Sequence, residues 1–247
     1  MPRNDLTLAE RVADLNARHR HRAATAVVEH ALADADTGRV ALVSSFGAES
    51  VVLLHMVAMV DTATPVLFVE TGMLFPETLD YQRAVAAHLG LSDLRVLRAA
   101  PVRLAAHDPE GQLHKTDPDA CCALRKTEPL HRALRGFDAW ITGRKRFQSG
   151  SRAGLAFFEA EETGRIKINP LAHWAPQDVA DYMVNNRLPR HPLVARGYPS
   201  IGCAPCTTPV AAGEDPRAGR WRGSDKDECG IHFVDGRMVR GPLAAAS

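Results

Sequence analysis

Residues 40–60 read VALVSSFGAESVVLLHMVAMV, and three blocks stand apart in them. Val40 to Ser44 is an apolar run of strand length, SSFGAES is a small hydroxyl-rich turn, and Val51 to Val60 is long and apolar enough for a buried helix. The pattern recurs at once. Pro65 to Glu70 reads as a second strand, Pro76 to Leu89 as a helix opened by a proline suited to its first position, and Leu94 to Leu97 as a third strand. Upstream, Leu8, Val12 and Leu15, then Val27, Val28, Ala31 and Leu32, recur at helical spacing and predict two amphipathic helices within residues 5–35. Downstream, residues 99–120 have the Pro, Gly and polar content of a surface connection, and helical character is expected from Cys121 to Leu134. Strands are expected at Ala139 to Thr142, Leu155 to Phe158 and Arg165 to Ile168, and a helix at Pro176 to Arg187. Beyond Leu188, Pro, Gly and Arg dominate and regular structure should fade. The alternation predicts an α/β fold with a doubly wound, mostly parallel sheet, ligands binding at the carboxyl ends of its strands. The 247 residues divide into N-terminal helices (1–36), an α/β core (37–200) and an irregular C-terminal segment (201–247), read together as a single domain.

Composition narrows the function. Hydrophobic residues are 45% and charged residues 24%, as in ordinary globular chains. Thirty Lys and Arg against 29 Asp and Glu leave a net charge of +1, which argues against general binding to nucleic acid or to a membrane surface. Any anion site must be local. The ten-residue apolar run Val51 to Val60, with His55 inside it, is far short of the ~20 residues a bilayer requires, and MPRNDLTLAE carries no hydrophobic leader. A cytoplasmic address is therefore expected, where thiols stay reduced and the five cysteines read as metal ligands or reactive groups. Assembly into a homo-oligomer is left open.

Three loops follow strands. Ser44, Ser45, Gly47 and Ser50 put small and hydroxyl-bearing residues where a strand hands over to a helix N-terminus, which suits a phosphate or sulfate. The GxxxxGK spacing is absent, and an ordinary capping turn would look the same. VETGMLFPET, residues 69–78, is a second such turn, and two adjacent strand ends can frame one nucleotide. ITGRKRFQSGSR, residues 141–152, gathers Arg144, Lys145, Arg146 and Arg152, either as an anion site or as a solvated basic loop.

The cysteines fall into three groups: Cys121 with Cys122, Cys203 with Cys206, and Cys229 alone. CxxC at 203–206 suits one metal or cluster, whereas neighbours on a helix point about 100° apart and would strain to grip one zinc ion. A cubane offers each sulfur its own iron. The split CC and CxxC therefore favours a 4Fe-4S cluster over zinc. Cys229 in KDECGIHF is left over; Lys226 and His232 nearby would raise its thiolate fraction, as a nucleophile requires.

Taken together, SSFGAES, VETGMLFPET, CCALRKTEPL, ITGRKRFQSGSR, GCAPC and KDECGIH resemble the thioredoxin-dependent adenylylsulfate and phosphoadenylylsulfate reductases, from about Val40 to Phe233. The resemblance implies an adenine nucleotide alpha hydrolase-like, Rossmann-like fold, and the two cysteine pairs point to the branch that acts on adenosine 5'-phosphosulfate. It implies that Cys229 takes the sulfonate as S-sulfocysteine and expels AMP, and that thioredoxin or a similar dithiol donor then releases sulfite for cysteine synthesis. His232, Lys126, Arg217 and Arg220 resemble the residues around the transferring group, and Cys121, Cys122, Cys203 and Cys206 the cluster ligands. Ser44, Ser45, Gly47 and Ser50 resemble the phosphate-side loop, and Arg144, Arg146 and Arg152 the arginine loop. Glu70, Thr71 and Gly72 correspond to a nucleoside-side turn that typically begins with Asp, and Ile231 stands where Leu is usual. Competing readings are a reductase of the 3'-phosphorylated nucleotide, an ATP-using iron-sulfur thiolation enzyme of the same superfamily, and a non-enzymatic iron-sulfur or zinc redox sensor.

Overall fold

The computed structural model describes residues 6–148 and 150–223, together with the backbone of 233–234 and 237–238. Two helices open the chain, α1 (Leu8–His19) and α2 (Ala24–Ala33), the first started by a capping box between Thr7 and Glu10. Strand and helix then alternate through β1 (Val40–Ser44), α3 (Ser50–Val60), β2 (Val66–Val69), α4 (Pro76–His88) and β3 (Leu94–Leu97). Past the helices α5 to α8 come β4 (Ala139–Ile141), β5 (Phe158–Ala160), β6 (Ile166–Ile168) and α9 (Pro176–Asn185). The six strands form one sheet in the order β3-β2-β1-β4-β6-β5. Every pairing is parallel except β5 with β6. Such a sheet must be covered on both faces. Val40 and Leu42 of β1 enter a large core with α1, α2, α3, α4 and α9, while Ala41 turns the other way and packs with Leu67, Val69 and Trp140 under Leu130 and Leu134 of α8. The near-continuous apolar sequence of α3 is explained by its burial between α2, α9 and the sheet.

Three expectations need correction. Leu155 and Phe157 are buried, but they lie in a loop, and the strand starts only at Phe158. Their apolar character serves the core and not pairing. The connection 99–120 contains α5 (Pro101–His107), α6 (Leu113–Thr116) and the start of α7 (Pro118–Cys122), two of them opened by a proline at the first turn. The C-terminal segment, read as irregular, carries a short hairpin, β7 (Phe233–Val234) with β8 (Arg237–Met238).

The helix expected over 121–134 changes winding on the way. It runs as α7 to Cys122, as a π-helical turn over Ala123–Thr127 and as α8 (Glu128–Leu134), with the Glu128 amide donating to the Ala123 carbonyl five residues back. Pro129 supplies the reason. In a regular helix its ring would press on the carbonyl of Arg125, and the wider turn relieves that clash. As a result Cys121, Cys122, Leu124, Arg125, Lys126 and Thr127 are all buried.

His191 ties α4 to the turn after α9. Its Nδ1 accepts from the Leu193 amide at 3.2 Å, so Nε2 carries the proton and donates to Thr78 Oγ1 at 3.0 Å. Burial pushes its pKa from the ordinary 6.5 down to about 4. The unfolded chain thus binds the proton more tightly. Stability from this group is complete above pH ~6.5 and lost as pH falls towards ~4, on the order of 3 kcal/mol. The urea midpoint of the wild type should drop through that window more steeply than that of His191→Gln; parallel curves would contradict this reading.

Candidate active site

The strand order reverses between β1 and β4, and a cavity of about 310 Å³ opens at their carboxyl ends. One wall is the loop from β1 to α3. Phe46 sits at φ 48°, its ring fully buried edge-on to Phe68, and its amide donates to Ser44 Oγ at 3.2 Å. The Gly47 amide donates to Ser50 Oγ at 3.0 Å, and a Cβ at Gly47 would lie 3.3 Å from the Ile201 carbonyl. This glycine lets residues 199–202 close over the loop. Ser44, Ser45, Gly47 and Ser50 all line the cavity.

The basic loop forms a second wall. Arg144 is held by Asn169 Oδ1 and by Glu159, and Arg152 by Gln148; both line the cavity. Lys145 is also buried there, its Nζ 2.8 Å from Glu49 Oε2 and 3.2 Å from the Gly143 carbonyl. Burial lowers its pKa, and Glu49 works against that shift. Arg146 does not belong to the wall. Its Nε donates to the Leu155 carbonyl at 2.8 Å and braces the loop. Arg217 and Arg220 enter from the C-terminal segment, the Arg220 guanidinium 4.5 Å from the Trp221 ring centroid. That segment folds back onto CxxC. The Thr208 amide donates to the Gly219 carbonyl at 2.8 Å and the Trp221 amide to the Cys206 carbonyl at 3.1 Å.

The turn after β2 divides its roles. Thr71 lines the cavity, whereas Glu70 and Gly72 do not. Glu70 accepts from the Gly72 amide at 2.6 Å and from Arg98 Nε at 2.7 Å, and Gly72 takes φ +73°, which a side chain would strain. Thr71 joins the turn to the cysteines: its Oγ1 lies 3.3 Å from Cys203 Sγ, and two residues on the Met73 carbonyl accepts from the Ala204 amide at 2.8 Å.

Behind that turn, Cys121, Cys122, Cys203 and Cys206 line one small cavity with Arg125 and Lys126. Burial and then Cys122 raise the Cys121 pKa to about 11, with Arg125 opposing and Cys203 and Cys206 adding to the rise. Burial and Cys203 raise that of Cys206. Thiolates there need a positive partner to replace their protons. Among the described residues no three Cys, His, Asp or Glu side chains are placed to hold one metal ion. Three buried thiols and the half-buried Cys206 around one cavity, with no three placed for a single ion, fit a polynuclear iron-sulfur group. Lys126 lines both cavities and so forms part of their partition.

Of the residues expected at the site, Cys229 and His232 lie outside the described residues. Sequence reasoning missed Glu49, Asp108 and Arg125. Asp108 and Arg125 form a buried pair at 2.7 Å beside the cysteines, visible beforehand only as two opposite charges seventeen positions apart.

Residues 39–209 match the model of the phosphoadenosine phosphosulfate reductase domain. Over 221 residues the chain is 54% identical to a protein of Chelativorans sp. (strain BNC1) called adenosine 5'-phosphosulfate reductase, covering 89% of this chain and 90% of that one. A protein of the same name from Mesorhizobium japonicum is 50% identical over 226 residues, 92% of this chain and 89% of its own. A Gloeobacter violaceus relative called phosphoadenosine 5'-phosphosulfate reductase is 44% identical over 200 residues, covering 78% and 82%. The crystal structure of phosphoadenylyl-sulfate reductase from Candida auris in a phosphate complex superposes with a TM-score of 0.69 at 28% identity, over 80% of this chain and 96% of that one. In the described residues no helix is long and apolar enough to cross a membrane. Sheet order, cation-lined cleft and sequence likeness agree, and the chain belongs to the phosphoadenosine phosphosulfate reductase family, enzymes that reduce a sulfur group.

Proposed function

We propose that the protein reduces adenosine 5'-phosphosulfate to sulfite and AMP in assimilatory sulfate reduction. The observation that carries this reading is a cleft at the strand ends in which Lys126, Arg144, Arg152, Arg217 and Arg220 share walls with the serine loop, directly against a quartet of thiols of which three are buried. Such a cluster of fixed cations in a chain of net charge +1 suits a small, multiply charged anion.

In the proposed reaction the Cys229 thiolate attacks the sulfonate sulfur, the bond from that sulfur to the phosphate oxygen breaks, and its electron pair leaves with AMP. One thiolate of reduced thioredoxin, or of a similar dithiol, then attacks the Cys229 sulfur and expels sulfite, and the second thiol closes the donor's disulfide. His232 and the two arginines Arg217 and Arg220 engage the moving group. Ser44, Ser45, Gly47 and Ser50 hold the phosphate side with Arg144 and Arg152, while Arg146, Glu70 and Gly72 shape the loops. Cys121, Cys122, Cys203 and Cys206 hold a 4Fe-4S cluster, which when bound supplies a fixed negative field beside Lys126 without a change of redox state.

Anaerobically purified protein incubated with adenosine 5'-phosphosulfate and reduced thioredoxin should release sulfite and AMP in equal amounts; neither product would overturn the proposal. Because one relative is named for the 3'-phosphorylated nucleotide, the same assay is run with both. Faster turnover of the 3'-phosphorylated form would assign the chain to that substrate.

Gly202 provides a second check. A Cβ there would meet Arg220 Nη2 at 2.3 Å and Cζ at 2.6 Å, so Gly202→Ala should push this guanidinium aside. Losing one charged hydrogen bond to the substrate costs about 1.5–3 kcal/mol, or at least about tenfold in kcat/KM. Gly202→Ala combined with Arg220→Ala should be no worse than Arg220→Ala alone. Multiplying losses would show that the glycine acts by another route.

A further inference from the structure

The two halves of the thiol quartet come from distant parts of the chain, and a single buried ion pair straps them together. Arg125 lies in the π turn next to Cys121 and Cys122, and its guanidinium reaches three ways. Nε and Nη2 donate to Asp108 Oδ2 at 3.2 and 2.7 Å, and Nη1 donates to the Thr71 carbonyl at 3.0 Å. Thr71 in turn touches Cys203, and Met73 carries the Ala204 amide of the CxxC turn. Asp108 is fixed from its own side. Its amide ends α5 on the Leu104 carbonyl, and its Oδ1 accepts from the Leu113 amide at 2.9 Å. Its side chain is 2% exposed and that of Arg125 9%. Burial works to raise the pKa of the Asp108 carboxyl, but the hydrogen bonds from Arg125 and the Leu113 amide outweigh it and hold that carboxyl below the usual range.

We propose that Asp108 is a positioning residue for the iron-sulfur site: through Arg125 it aligns the Cys121–Cys122 segment with the turn bearing Cys203 and Cys206. The assignment rests on the iron-sulfur reading given above. A carboxylate that only neutralised Arg125 could do so from the surface. Here both oxygens are spent on fixed donors, and the residue anchored is the one joined to both halves of the quartet. The connection 99–120 is thereby part of the cofactor site, although no residue of it was expected there.

The test uses the purified holoenzyme. Iron and acid-labile sulfide are counted, and the rate of iron loss to a chelator in air is followed together with the visible absorption of the cluster. Asp108→Asn should lose iron about tenfold faster or more, as is usual when a residue supporting a metal ligand is removed. Asp108→Glu should recover most of the protection. Asp108→Asn with Arg125→Gln should lose iron no faster than Arg125→Gln alone, and Asp138→Asn, which breaks an exposed pair with Arg39, should match the wild type. Wild-type retention in Asp108→Asn, or independent losses in the double variant, would overturn the assignment. Should Asp108→Asn fail to fold, Arg125→Lys decides, since it keeps the charge and loses the fork: an unchanged rate refutes the strap. A wild-type protein purified anaerobically without iron would instead overturn the iron-sulfur reading, and this assignment with it.

Discussion

Cys229→Ser should abolish sulfite formation, with a fall of at least about a thousandfold in turnover, while iron content stays at the wild-type level. In the proposed function the four thiols that line the inner cavity complete the ligand set of the cluster, and Cys229 stands apart from them in sequence with Lys226 and His232 close by. A serine hydroxyl is of similar size, but it is not ionised near neutral pH and cannot accept and release a sulfonate as a sulfur does. Binding of AMP should persist. Intact-mass measurement after substrate, without a thiol donor, should find an added sulfonate on the wild type and none on the variant. Sulfite production by the serine variant at a wild-type rate would move the chemistry to another group.

Lys126→Ala should lower kcat/KM by about a hundredfold to a thousandfold, the usual effect of deleting a donor aimed at developing charge in a site shielded from water. Its side chain faces the anion cleft on one side and the thiol cavity on the other, and the residue is only 8% exposed. Lys126→Arg should restore little, because a planar fork does not replace a compact ammonium in a closed partition. Cluster content should change much less than turnover. If iron is lost in step with activity, Lys126 supports the cofactor and not the substrate.

The sheet was legible because its strands announce themselves. β1 and β2 are short apolar runs followed by turn residues, β3 is one interrupted only by Arg95, α3 is eleven residues of almost unbroken apolar sequence, and α4 opens with Pro76 at its first turn. Leu155 to Phe158 misled for a physical reason. Buried loop residues and strand residues are equally apolar, and periodicity cannot separate them over four positions. At the site, spacing disclosed the quartet of cysteines, and composition disclosed the basic loop. Neither disclosed how the loop divides its work: Arg146 braces Leu155, while Lys145 descends to Glu49 across 96 positions. Asp108 and Arg125 were hidden for the same reason, since a partnership made by tertiary folding leaves no period in the chain.

The π turn ahead of Pro129 has a wider consequence. Evenly wound backbone over 118–134 would be the more comfortable arrangement, and exchange of the proline for a good helix former would let the segment relax towards it. Selection for heat tolerance alone, in a laboratory or along a lineage, would therefore favour that exchange. What it would discard is the placement of Lys126 between the two cavities, so under the proposed function robustness and catalysis pull against each other at one imino acid.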